Sequence, residues 1–517
     1  MASSYTISTG TGRVSLGSPS LDLVGLQVVA DAALNSDISV KLQQSSDGVN
    51  FFDLANTTKT LSSGGDSAIL QSFDFNLNEL FIYIDVQSAT LGELTLFSFD
   101  KKKVEPSSGT IPNPLPVEVE NQLLNETNLD AFNRLRVSDV NSQIDLKQLH
   151  DSQPLFYDIE AVNGGSSSYG VAETTISTTS NNDRVFVQTK QRFNYSSGKS
   201  AYFLISFRNF NAASTNIKRI GYFNSGTTSP YNTNLDGLFL EIRQGEVNFV
   251  IAKDGVLTRH VQSTWSDPMD GTGASAIDFY LGSNDGNLLL WCDFEWLGVG
   301  QVRFGFVYQG AFIIASKFDH ILDDGVYMKS PNHSIRAEII QQTGTAQDLT
   351  LICATYGTEG SINTLGKILS DNMGNTHVDA NNTSSTYALM GLRLATSKID
   401  TLVDLLSFTL LAITNDNQRW EIWLNPTVAG TFTYAAVTNS SIETAKGSGS
   451  GNTVTTTSAT LLASGYVNAN SAEEFSIKSA IRLGMTIAGV QDEIVLCTSP
   501  LTSNSDVIAS VTWQEVS

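Results

Sequence analysis

The stretch WCDFEWLGVGQVRFGF, Trp291 to Phe306, sets two carboxylates two residues apart, Asp293 and Glu295, with Trp291 and Trp296 on either side. Side chains alternate along a β-strand, so an acid-x-acid pair faces one side of a sheet. Two carboxyls in one cleft are what a glycoside hydrolase needs, one as nucleophile or base and the other as acid. An alternating row of three acids, of the kind some jelly-roll glycosidases carry, would require a carboxylate where this chain has Trp291. That mechanism is expected to fail, and the chain reads as non-enzymatic, with no catalytic residue. Two uses remain for Trp291, Asp293, Glu295 and Trp296: packing, or contact with a glycan through an exposed aromatic platform, since indole rings serve both interiors and wet surfaces. Packing is the expectation. Gly300, with Gly298, lets the backbone approach a neighbour closely, and Val302, Phe304 and Phe306 then form one apolar face.

Other chemistry finds little footing. Five histidines, His150, His260, His320, His333 and His377, include no pair at metal-binding spacing. Asp319-His320 suggests a catalytic triad only superficially, because no nucleophile elbow accompanies it. The run Gly447 to Gly451, GSGSG, lacks the Lys-Ser/Thr ending of a phosphate loop and reads as a flexible turn. No cofactor is expected. Calcium stays open, because oxygen ligands from several short acidic loops can converge without a linear motif. Candidate loops are Asp236-Gly237, Asp270-Gly271, Asp285-Gly286 and Asp323-Asp324-Gly325, each of which is also an ordinary Asp-Gly turn. Cys292, Cys353 and Cys497 lie far apart and match no ligand spacing, so free thiols formed in a reducing cytoplasm are expected.

The elements that must carry these residues are strands. Charged residues make up 16% of the chain, and Ser, Thr, Asn and Gly fill the space beside many Phe, Tyr, Val and Ile. That mixture suits short strands joined by tight turns, so the fold class is all-β, with several sandwich or jelly-roll modules. In DISVKLQQSSDGVNFFDL, Ile38, Val40 and Leu42 alternate with polar residues before an Asp-Gly turn, and a sandwich is expected over 1–103. Leu80 to Val86 and Leu91 to Phe99 read as its closing pair of strands. Four of the eleven prolines fall within PSSGTIPNPLP, Pro106 to Pro116, a semi-rigid spacer. A linker over 104–150 therefore follows, with helical spacing in Val119 to Leu149. A lectin-like jelly roll is expected over 151–345, and a third sandwich over 346–517, where Trp420, Ile422 and Leu424 share one face and Ile399 to Phe408 reads as strand.

Acidic residues outnumber basic ones by 52 to 30, and the net charge of −22 opposes a nucleic-acid partner, which binds through Lys and Arg. The opening residues MASSYTISTG lack a basic or apolar leader segment, and no run of ~20 apolar residues occurs, so neither conventional secretion nor membrane insertion is expected. DAFNRLRVSD at Asp130 to Asp139, DPMDGTGAS at Asp267 to Ser275 and FEWLGVGQVRFGF at Phe294 to Phe306 resemble a family of virion structural proteins of tailed bacteriophages and large DNA viruses. The resemblance covers about 130–345 and continues more weakly beyond. LQQSSDGVNFFDL, Leu42 to Leu54, is similar to small sandwich modules of phage appendages.

This resemblance implies a place in a particle, as a tail or neck fibre, spike or head decoration, and no catalytic residues. The partners it implies are other virion proteins and further copies of the chain. A homo-oligomer is expected, with a trimer preferred, because Trp420, Trp423, Trp513, Phe432 and Tyr434 exceed what one small sandwich need bury. Host surface glycans are the alternative partner. No period of ~20 to 50 residues repeats, which speaks against a β-helical polysaccharide depolymerase.

Overall fold

The computed structural model describes the backbone of nine strands between residues 2 and 100, and residues 140–516 apart from 212–215, 279–285, 297–299, 321–324, 361–365, 415 and 477–481. The chain divides into two compact units, Met1–Val117 and Glu118–Ser517. The fold is all-β and multi-domain. Among the described residues the only helical element is the single 3-10 turn Gln262–Thr264.

The first unit contains two antiparallel sheets. One places Ala2–Thr6, Glu93–Asp100, Leu23–Ala30 and Ser67–Leu70 side by side; the other places Gly12–Gly17, Glu79–Val86, Ile38–Ser45 and Phe52–Asp53, with Lys59–Leu61 also on Ile38–Ser45. Glu79–Val86 and Glu93–Asp100, expected to close the module as a pair, belong to different sheets. Val40 is buried while Ser39 and Lys41 beside it are half-buried, as alternation requires.

The second unit begins with a large sandwich. Its eight-stranded sheet runs Ser166–Gly170, Glu173–Thr178, Gln347–Glu359, Ala201–Arg208, Leu288–Phe294, Gln301–Tyr308, Ala311–Asp319, and Val140–Lys147 joins it on Gln347–Glu359. The seven-stranded sheet runs Tyr157–Val162, Arg184–Thr189, Ile335–Gln341, Asn216–Asn224, Asp236–Arg243, Glu246–Lys253, Val256–Val261. Inward side chains of both, among them Phe203, Tyr222, Phe249, Phe294, Phe304 and Tyr356, form one aromatic-rich core. Non-sequential strand order gives the long crossings of jelly-roll sandwiches.

Two sequence expectations change here. The helical spacing expected over 119–149 gives way to the strand Val140–Lys147, in which Leu146 reaches the core and the backbone pairs with Gln347–Glu359; residues 101–139, with the Pro-rich spacer and DAFNRLRVSD, lie outside the described residues. The module boundary expected at 345 moves past 359. Gln347–Glu359 is thirteen residues long and hydrogen-bonds Glu173–Thr178 and Val140–Lys147 along one edge and Ala201–Arg208 along the other.

The C-terminal sandwich pairs a sheet of Lys367–Asn372, Ser505–Val516, Leu402–Ala412 and Ala472–Ser476, with Val378–Ala380 also on Ser505–Val516, against a six-stranded sheet. The latter runs Ala435–Ala436, Ile442–Lys446, Tyr387–Leu394, Glu493–Pro500, Gln418–Leu424, Thr460–Val467. Trp420, Ile422 and Leu424 share the inward face as expected, and Trp420 stacks on Phe475 at 3.9 Å. The five aromatics put forward as an interface pack within the chain. Trp513 and Trp420 enter the core, Trp423 and Phe432 join a smaller cluster with Val495 and Cys497, and Tyr434 lies under Arg393 at 4.2 Å.

The outer face of the seven-stranded sheet carries buried charge. Arg336 donates to Gln188 at 2.7 Å and to Glu338 at 2.9 Å; Arg219 bridges Glu338 at 2.5 Å and Glu241 at 2.7 Å; Arg259 reaches Glu241 at 2.7 Å. Burial alone would push Glu241 up, but Arg219 and Arg259 outweigh it and hold its carboxyl below the ordinary range. Such pairs balance desolvation against attraction, so their net contribution is small while the cost of removing one partner is about 3–5 kcal/mol.

Candidate functional site

The residues singled out from the sequence sit in the interior. Trp291 is 1% exposed, Asp293 and Glu295 are fully buried, and Trp296 is half-buried against the core. The Arg303 guanidinium grips Asp293 through Nε at 2.8 Å and through a second bond from Nη2, and lies 5.9 Å from the Trp291 ring centre. Arg303 and Asp293, ten residues apart in the chain, face each other on the paired strands Leu288–Phe294 and Gln301–Tyr308. Glu295 rests on Gly300: a Cβ there would fall 1.1 Å from Oε1. Trp296 donates from Nε1 to the Met328 carbonyl at 3.0 Å. Trp291 therefore offers no exposed ring for a sugar, and neither acid lines the clefts described below.

The loop DPMDGTGAS closes on itself in the same way. The Asp267 carboxylate accepts the Ser275 amide at 2.8 Å and the Met269 amide at 3.3 Å, Gly273 leaves it room, and Met269 is anchored in the core. Of the calcium candidates, Asp236 is occupied by protein donors. It accepts the amides of Asp254 (3.1 Å), Lys329 (2.9 Å) and Ser330 (3.0 Å), and its Oδ2 lies 3.1 Å from His333 Nε2. Asp270 accepts the amide and hydroxyl of Thr272. Asp285, Asp323 and Asp324 lie outside the described residues. Among the described residues no group of three or more His, Cys, Asp or Glu side chains is placed to hold a metal ion.

All three cysteines are free, and burial pushes the Cys292 and Cys497 thiols well above their ordinary pKa. His333 is fully buried; burial holds it below the ordinary imidazole value against the opposing pull of Asp236, so at neutral pH it is uncharged.

The large sandwich has an open cleft where its two sheets approach at their edges. Val256–Val261 ends the seven-stranded sheet and Ala311–Asp319 ends the eight-stranded one. Between them lies a cleft of about 560 Å³, within the usual range for small-ligand sites. Its lining includes two stacked ring pairs, of which His260 is half-buried and Phe318, His320 and Tyr327 are buried. His260 stacks on Phe318 at 3.6 Å and His320 on Tyr327 at 4.2 Å. His260 Nδ1 lies 3.2 Å from the Ser316 hydroxyl. Burial lowers the His260 pKa, with Asp319 opposing, so the ring is neutral at neutral pH and can both donate and accept. Thr258, Asp319 and Lys253 are exposed at the rim, the last with its ammonium on the Val326 carbonyl. Sequence reasoning noted Asp319-His320 but had no means of pairing it with His260, 60 residues away on another sheet.

A second cleft, of about 530 Å³, lies on the seam between the large and C-terminal sandwiches. Gln191 lines it and is 5% exposed, and its Nε2 meets no acceptor in the protein. A buried polar group left in that state costs about 1–3 kcal/mol.

No protein-family model and no curated protein matches the chain. Among solved structures, the Emp47p carbohydrate recognition domain is similar at 12% identity, with 43% of this chain and 97% of that chain covered and a TM-score of 0.29. The VIP36 exoplasmic/lumenal domain in its Ca2+/Man-bound form gives 10% identity, 44% and 100% coverage and a TM-score of 0.29. A legume lectin-like domain from Entamoeba histolytica gives 8% identity, 42% and 98% coverage and a TM-score of 0.26.

Proposed function

We propose that the chain is a non-enzymatic recognition protein that binds carbohydrate, with the cleft between Val256–Val261 and Ala311–Asp319 as its site. The observation that carries this reading is the pairing of ring walls with a polar rim. Sugar rings present an apolar face and a hydroxyl edge, and the half-buried His260 ring, backed by Phe318, with Thr258 and Asp319 exposed at the mouth, offers a counterpart to both. Neutral His260 matches hydroxyls, which also donate and accept. The burial of Asp293 against Arg303 and of Glu295 against Gly300 supports a structural use for those acids. A glycan array probed with the full-length chain should give binding that His260→Ala and Asp319→Ala each weaken. An array on which the chain binds nothing would overturn the reading.

The place of this module on a virus particle rests on the resemblance carried by Asp267 to Ser275 and Phe294 to Phe306. Immunogold electron microscopy of purified particles tests it. Gold on tail, neck or head is the expected outcome, and particles free of label would remove the assignment.

A further inference from the structure

We propose that the chain self-associates through one edge of its C-terminal sandwich: Thr460–Val467 pairs antiparallel with the same strand of a second copy about a two-fold axis, joining two six-stranded sheets into one.

Among the described residues Thr460–Val467 pairs with Gln418–Leu424 on one side and with no strand on the other. Such an edge presents a row of backbone N–H and C=O groups, which chains ordinarily blunt with charge or proline. The second unit follows that rule elsewhere. The edge strands Tyr157–Val162, Val256–Val261, Ala311–Asp319, Lys367–Asn372 and Ala472–Ser476 all carry charged side chains. Ser166–Gly170 carries none, but it is five residues long and its Tyr169 hydroxyl is spent on the Leu149 carbonyl. Thr460–Val467, TLLASGYV, runs eight residues without charge or proline and leaves Leu461 44% and Tyr466 67% exposed.

What this edge fits is its own copy. In a two-fold contact a charge near the axis meets its own image, so a surface built for self-pairing is neutral there. Thr460–Val467 is neutral along its whole length, on a chain whose net charge is −22. The side chains match as well. Trp423 and Arg419 lie four residues apart on Gln418–Leu424 and share a face, opposite to Trp420 and Ile422 in the core. Leu461 pairs with Trp423 and Tyr466 with Arg419, and the irregularity between Ile422 and Trp423 puts both on that outer face although they are five positions apart. An antiparallel pair centred between Ala463 and Ser464 then sets Leu461 of each copy opposite Tyr466 of the other. Pairing over eight residues is small beside the ~1,600 Å² of a standard interface, so dissociation in the micromolar range is expected.

Sedimentation equilibrium of the full-length chain tests this. The mass should rise from one chain towards two across the micromolar range, and hydrogen exchange over Thr460–Val467 should slow as it does. Leu461→Lys and Tyr466→Glu, both at exposed positions that folding tolerates, should each weaken association about tenfold or more. An equimolar mixture of the two variants should recover it, because the new ammonium then faces the new carboxylate across the pair. Ile368→Lys, exposed on the already charged edge Lys367–Asn372, should leave the dimer unchanged. A chain that stays monomeric would overturn the proposal, whatever other protein it captures, and so would a trimer, which one strand pairing with itself cannot close. A dimer indifferent to both variants, one lost equally with Ile368→Lys, exchange that ignores concentration, or a mixture that stays as weak as its components would also overturn it.

Discussion

At the scale of single residues, the acid-x-acid pair is a packing device, and its energetics are open to measurement. Gly300→Ala should destabilise the second unit by about 1–3 kcal/mol, since the new methyl collides with the Glu295 carboxyl in a filled interior. Guanidinium denaturation checks it, and an unchanged midpoint would mean that Glu295 has room to withdraw. Arg303→Met should cost about 3–5 kcal/mol by taking the guanidinium from buried Asp293, and adding Asp293→Leu should restore much of that loss. Additive losses in the double variant would contradict this. His333 predicts a pH response. Folded His333 resists protonation more than the unfolded residue does, so its contribution is full above the unfolded pKa of about 6.5 and is lost as pH falls below it. The unfolding free energy should drop towards pH 5 with a slope of at most about 1.4 kcal/mol per pH unit from this group. His333→Gln should flatten that slope by up to one proton, and an identical slope in the variant would refute the assignment.

At the scale of elements, strands with strong alternation were legible. The alternating Trp420, Ile422 and Leu424 lie on the strand Gln418–Leu424 and share its inward face, and the run Ile399 to Phe408, read as strand, is strand from Leu402. What misled was local period without its partner. Val140–Lys147 carries Ile144 and Leu146 on one side, a spacing too short to outvote the helical pattern around it, and only Gln347–Glu359 across the sheet makes it a strand. The clefts were illegible for a related reason. His260 and Phe318, or Gln191 and Arg482, meet only after sheets have formed. Gln347–Glu359 gives a test at this scale. A chain ending at residue 345 loses a strand that pairs on both edges, and residues 140–345 should show no cooperative thermal transition, while 140–517 should. A sharp transition in the shorter chain would show that the sheet closes without it.

At the scale of the whole molecule, the chain divides into two compact units, each with sheets of its own among the described residues. Residues 1–117 should unfold alone with the same midpoint that they show within the full chain, as resolved by calorimetry. A midpoint that falls sharply on excision would mean that the second unit supports the first. Thirty-seven strands are described, and so many similar segments create a problem of pairing during folding. A slip of one residue turns apolar side chains to water and is rejected by the hydrophobic effect; a slip of two keeps every face correct and escapes that check. The buried charges of the seven-stranded sheet catch it. In register, Arg219 faces Glu338 on one neighbour and Glu241 on the other. Shifted by two, it faces Arg336 or Ile340 on one side and Arg243 or Phe239 on the other, so the buried guanidinium either meets a second cation or loses its carboxylate. The row of ions thus acts as a parity check on strand assembly, detecting the one class of error that greasy and polar alternation cannot see.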